Sequence, residues 1–164
     1  MALIAAVMTG PGAGAIATIQ LFGESAEAVL RGIFRRSDGG PFAFAARRVF
    51  LGEIADGEQT VDQVTVGCEG PDSFAIHCHG NPLIVKRILN VLQKNGMRMA
   101  EPGEFSRRAF LNGKMDLTEA EAINQIILAR SEWQIDSAIE QMHGSLHRAI
   151  NLLRDSIILL KADI

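Results

Sequence analysis

Tyrosine is absent from this 164-residue chain and tryptophan occurs once. With aromatics at only 5 % of residues, the stacking platforms that hold single-stranded nucleic acid are scarce. Cationic charge is not in excess either. The net charge of −3 and isoelectric point near 5.8 argue against a broad phosphate-binding surface. Any contact with nucleic acid therefore needs a local basic patch or another part of a larger protein. The two cysteines, Cys68 and Cys78, are too few for a disulfide framework and point to a reducing compartment. No apolar run reaches the roughly 18 residues of a membrane span. The opening MALIAAVMTGPGAG lacks a basic leader and is interrupted at Gly10 and Pro11, so it reads as a first strand and not as a signal peptide. These absences lead to the expectation of a cytoplasmic protein with no membrane partner.

What is present is a real core. Hydrophobic residues make up 48 % and charged residues 21 %, enough for one domain or a domain with an appendage. Leu3 to Met8 and Ala15 to Phe22 read as strands around TGPGAG. That loop lacks a lysine and leads into a strand, so it is not a phosphate loop, and G-x-x-x-x-G-K-[ST] occurs nowhere in the chain. Its glycines suit tight turning and close backbone approach. Ser25 to Arg35 carries apolar residues at helical spacing. SDGGPFAFAA reads as a loop. A hairpin follows, with one strand from Val49 to Asp56-Gly57 and its partner from Val61 to Gly67. Ser73 to His79 is a further strand. Asn81 with Pro82 starts a helix that runs to Asn95-Gly96.

Strands and helices mix here without βαβ alternation, which predicts an α+β fold. After Asp116 only helical signals remain. Asp116 reads as a residue that caps or orients the next helix, Thr118 and Glu121 fit a capping box, and a helix bearing Ile123, Ile126, Ile127, Trp133, Ala138, Ile139 and Met142 is expected up to the break at His143-Gly144-Ser145. Leu146, Ile150, Leu153, Ile157 and Leu160 mark a second helix, completing an α-helical hairpin. The final SIILLKADI is apolar almost all round its helix, which predicts burial by oligomerisation or by a longer chain.

The segment from Pro102 to Ala122, PGEFSRRAFLNGKMDLTEAEA, is crowded with polar side chains: Arg107, Arg108, Asn112, Lys114, Asp116 and Glu119. It resembles the N-terminal region of the tRNA modification GTPase family MnmE (TrmE), where the segment reads approximately PGEFTxRAFLNGKLDLTQAEA. The resemblance implies a mixed sheet with flanking helices, similar to folate-binding aminomethyltransferase domains, over residues 1–116. Residues 117–164 would begin the family's helical domain, with the GTPase domain absent. It also implies a homodimer formed through the N-terminal domain and a bound tetrahydrofolate derivative, in the 5-formyl or 5,10-methylene form. An MnmG-type FAD protein and tRNA would be the partners in wobble-uridine modification. GTP, Mg and K would belong to the GTPase domain alone, so this chain would hydrolyse no GTP by itself.

The resemblance also assigns site residues. In the family an Arg on the second strand, a Glu before the H-x-H-G stretch and the Lys of NGK contribute to the folate site. A carboxylate can accept paired hydrogen bonds from the pterin, and cations can meet the folate carboxylates. Here those positions are Gln20, Ala75 and Lys114. The loop before AIHCHG is shortened, and the Arg of the family's PPGRGG is Ala13. Arg108 matches the Arg of the family's R-A-F element, and a local pair with Glu104 is the competing role. His77 and His79 share one strand face, near the implied ligand cleft. With Cys68 on a neighbouring strand they raise a zinc hypothesis, which loses to hydrogen-bonded imidazoles at a strand end because Cys78 points away. His143 and His147 read as surface residues. A diverged dimerisation scaffold without folate is the alternative function, and a stand-alone aminomethyltransferase-like enzyme is weaker for want of an acid–base pair.

Overall fold

The computed structural model describes residues 2–162 except Phe44 and Ala46; the side chains of 145–147 and Ala162 are also outside the described set. The SIILLKADI end (Asp163, Ile164), part of the SDGGPFAFAA loop, and the side chains of Leu146 and His147 therefore lie outside the described residues. The chain divides into two compact units, residues 1–101 and 102–164.

Among its described residues the first unit has seven strands. These are β1 (Ile4–Val7), β2 (Ile16–Phe22), β3 (Phe34–Arg36), β4 (Val49–Asp56), β5 (Gln59–Gly70), β6 (Ser73–His79) and β7 (Arg98–Met99). They form one sheet in the order β3-β4-β5-β6-β2-β1-β7. All neighbours are antiparallel except β1 and β7, so the sheet is mixed and the fold is α+β. Helices α1 (Ala26–Ile33) and α2 (Pro82–Lys94) supply the core with Leu30, Ile33, Ile88, Val91 and Leu92. Alternation does the rest. Phe74, Ile76 and Cys78 on β6, and Ile19 and Leu21 on β2, are buried in that core, while the residues between them face the other way.

Several local expectations have a visible physical cause. Asn81 accepts a hydrogen bond from the Leu83 N–H at 2.8 Å and caps α2, with Pro82 in its first turn. The 9–14 loop joins β1 to β2, and Gly14 donates its N–H to the Gly80 carbonyl at 2.8 Å. A Cβ on Gly80 would lie 2.5 Å from the Gly14 oxygen, so this approach requires glycine. Strand β5 runs past Gly67, where the hairpin was expected to end, to Gly70.

Among the described residues the regular elements of the second unit are all helices: α3 (Glu104–Leu111), α4 (Leu117–Leu128), α5 (Glu132–Met142) and α6 (Ser145–Ala162). The expected single helix before His143 is two helices. Ser131 accepts from the Gln134 N–H at 3.3 Å, and Gln134 Oε1 accepts from the Arg130 N–H at 2.8 Å. Ser131-x-x-Gln134 is thus a helix start in its own right. The capping box of α4 sits on Asp116, the residue expected to cap or orient this helix, and not on the Thr118–Glu121 pair that was also expected to form one. Asp116 accepts from the Glu119 N–H at 2.7 Å, while Glu119 accepts from the Asp116 N–H at 2.8 Å. Thr118 is inside the first turn and donates its hydroxyl to Asp116. The apolar surface of α6 is not covered within this chain: Ile157, Ile158, Leu159 and Leu160 are each more than half exposed.

Candidate functional site

The face of the sheet opposite α1 and α2 carries most of the polar candidates. Register aligns two rows across it. One runs Val49, Gly67, Ala75, Gln20, Ala6, and the next runs Leu51, Thr65, His77, Thr18. Gly67 and Ala75, the two smallest residues available, stand side by side and form a low floor. Polar side chains rise on both sides of it. On one side the Thr18 hydroxyl and His77 Nδ1 are hydrogen-bonded at 3.0 Å. On the other, Gln20 Nε2 donates to Glu69 Oε2 at 2.7 Å and to Ser73 Oγ at 3.1 Å, and the Ser73 hydroxyl donates to the same Glu69 oxygen at 3.0 Å. A small cavity of about 220 Å³ continues past His77, between Ile16, Leu51, Gln63, Thr65 and His79.

Gln20, Ala75, His77 and His79 therefore share one face, with Gln20 and Ala75 as direct cross-strand partners. His79 is held at the strand end. Its backbone N–H and Nδ1 both engage the Asp62 carboxylate, at 2.9 and 2.8 Å. Neither cysteine joins the histidines. Cys68 and Cys78 lie in the core on the other face, and burial pushes both thiols up, Cys78 to about 11 with the Asp62 charge adding to the effect. Neutral buried thiols are poor metal ligands and poor nucleophiles. Among the described residues no three His, Cys, Asp or Glu side chains come together as metal ligands.

Arg108 and Lys114 belong to the second unit. Arg108 reaches back one helical turn, with Nε and a terminal nitrogen on Glu104 Oε1 at 3.1 and 2.8 Å. Both side chains of this pair are largely buried, which distinguishes it from the weak surface pairs of most helices. Lys114 is exposed and follows Gly113, whose φ of 66° ends α3 in the left-handed conformation. Its N–H donates to the Ala109 carbonyl at 2.9 Å.

Sequence reasoning passed over Thr18, Glu69 and Ser73. Thr18 and Ser73 had a usable signal, the period-2 parity that puts them on the face of Gln20 and His77. Glu69 had none, because it falls at an irregularity: Cys68 pairs with Phe74 and Gly70 with Ser73, which leaves Glu69 without a partner of its own. A second cavity, of about 670 Å³, lies between the 9–14 loop and α2, walled by Val7, Pro11, Ile16, Val85 and Leu89, with Lys86 the one charged residue among those lining it.

A mixed sheet with both helices on one face and a polar, small-floored site on the other defines the first unit as an α+β module. Residues 3–114 match the family described as GTP-binding protein TrmE N-terminus. The chain is 39 % identical over 165 residues to the tRNA modification GTPase MnmE of Chlorobium luteolum, covering 94 % of this chain and 35 % of that protein. It is 41 % identical to the MnmE of Thermotoga petrophila, covering all of this chain and 37 % of the relative. With the MnmE of Lacticaseibacillus paracasei the identity is 39 %, over 98 % of this chain and 36 % of the relative. The chain belongs to the MnmE (TrmE) family and spans little more than a third of the length of these relatives. Among the described residues no helix is long and apolar enough to cross a membrane.

Proposed function

We propose that this chain is the N-terminal tetrahydrofolate-binding and dimerisation module of an MnmE-type tRNA modification GTPase. The observation that carries the reading is the family match over residues 3–114, the stretch that includes the whole polar sheet face. In the full assembly the module would present a 5-formyl- or 5,10-methylenetetrahydrofolate as one-carbon donor for carboxymethylaminomethyl modification of wobble uridine. An MnmG-type FAD protein, tRNA and a cytoplasmic setting complete the proposal. The residues present suit such a ligand. The Gln20, Ser73 and Thr18 side chains stand on one sheet face and offer hydrogen-bonding groups for such a ligand. Lys114 is the cation assigned to the folate carboxylates.

A second reading is a scaffold that keeps the dimer but has lost folate. Gln20 and Ala75, which stand where the family has an Arg and a Glu, favour it. Calorimetric titration with 5-formyltetrahydrofolate, run beside sedimentation analysis, separates the two. Binding by a dimer, weakened about tenfold or more by Lys114→Ala, supports the module. A dimer that takes up no folate leaves the scaffold.

A further inference from the structure

We infer that Glu69 is the acidic anchor of the sheet-face site, and that it recognises a planar heterocycle through a donor edge made of a ring N–H and an adjacent amino group. The inference rests on the folate reading above and names how the pterin head would be read. The backbone supplies the first argument. Glu69 is the unpaired residue of the irregularity between Cys68 and Gly70, and an extra residue of this kind bends a strand and redirects a side chain. It is redirected over Ser73 to Gln20, two strands away, at 2.7 Å. Glu69 itself is exposed, so nothing about folding requires a carboxylate there.

The hydrogen-bond inventory supplies the second argument. Glu69 Oε2 accepts from both the Gln20 amide and the Ser73 hydroxyl. Gln20 uses its NH₂ on Glu69 and Ser73. That leaves Glu69 Oε1 and Gln20 Oε1, two acceptors on neighbouring side chains, unengaged among the described residues beside the Gly67–Ala75 floor. An ionised carboxylate offers only acceptors, and an amide oxygen adds another. The complement of this pair is an edge of donors, which the N3–H and 2-amino groups of a pterin provide. Charge-assisted bonds of this type are the stronger ones. An anionic or acceptor-only edge would be repelled by the same arrangement. Ala75, which carries no carboxylate, makes room for Glu69 to do this from the adjacent strand.

The test is a titration of the full chain and its variants with 5-formyltetrahydrofolate and with its analogue lacking the 2-amino group. Glu69→Gln keeps the shape and removes the charge, and Ser73→Ala removes one support while leaving the carboxylate. Thermal melts of both should match the parent because the substituted side chains are not core residues. The expected result is binding by the parent weakened at least tenfold in Glu69→Gln and two- to fivefold in Ser73→Ala. The parent should also prefer the 2-amino ligand, and Glu69→Gln should lose that preference. If the parent binds and Glu69→Gln binds equally well with the preference intact, the role of Glu69 is overturned and the folate reading stands. If the parent binds neither ligand, both fall together.

Discussion

The sheet unit and the helical unit use similar apolar residues to opposite ends. In residues 1–101 the side chains of Phe74, Ile4, Ile19, Leu21, Leu30, Ile54, Ile76, Ile88 and Leu92 are fully buried. In residues 102–164 the described buried hydrophobics are only Ala122 and Ala138, while Ile127, Leu128, Trp133 and most apolar side chains of α6 are exposed. Helices α4 and α5 bury these small residues, half-bury Ile123, Ile126 and Ile139, and leave Ile127, Leu128 and Trp133 exposed. The first unit thus closes a core of its own, and its stability is an internal property. The second has helical starts written clearly into its sequence but holds little of its apolar surface out of water. Since burial is the main stabilising term in folding, the two units should respond differently to the same kind of substitution.

The largest effect is expected at Phe74, which is fully buried and meets the Phe42 ring at 6.0 Å between centroids. Phe74→Ala should cost about 3–5 kcal/mol, read as a drop in the urea midpoint at unchanged slope. A loss under about 1 kcal/mol would remove the basis of the contrast. Alkaline pH gives a smaller and more diagnostic effect. An unfolded Cys78 thiol ionises near the ordinary value of 9.0, whereas in the fold burial holds it neutral up to about 11. A raised value in the folded state means this contribution is complete below pH 9 and is lost as pH rises through about 11. Unfolding free energy should decline across that window, and Cys78→Ala should flatten the decline although it lowers stability overall. The smallest effect is expected on α6. Leu153→Gln and Leu160→Gln exchange one good helix former for another at positions about two-thirds exposed. They should change the stability of this chain by no more than about 0.5 kcal/mol. A larger cost, seen in thermal melts, would show that α6 is covered in solution and would narrow the contrast between the units.

Much of the fold was legible because its signals are local. Alternating polarity marks β6 from Ser73 to His79, and the Asn81-Pro82 pair marks the start of α2; both elements stand as read. Two short strands were not legible. Phe34–Arg36 continues the helical periodicity of α1, and Arg98–Met99 is two residues long. Each exists because a neighbouring strand offers hydrogen-bond partners, Gly52 to Ile54 for the first and Ile4 and Ala5 for the second. The break between α4 and α5 was legible and overlooked: Ser131-x-x-Gln134 is a capping pattern, but it lies inside a run of helix formers whose apolar spacing continues across it.

The candidate site divides in the same way. That His77, His79 and Ala75 share a face follows from a period of two and needs no structure. That Gln20 stands beside Ala75 depends on β2 pairing with β6 across some fifty residues of chain, and nothing local encodes that pairing. Glu69 shows the limit most clearly. Its position two residues past the expected strand end, its freedom from a cross-strand partner and its reach to Gln20 all depend on one irregularity between β5 and β6.

The sequence by itself determined the family, the α+β class, the caps and the parity of each strand, because each of these depends on residues within a few positions of one another. The tertiary structure alone decided which strands are neighbours, that the Cys68 thiol lies on the face opposite the imidazoles, and that a carboxylate stands beside Gln20 although position 75 is alanine. Those are consequences of register between distant segments, and register is fixed only when the whole sheet buries one face against α1 and α2.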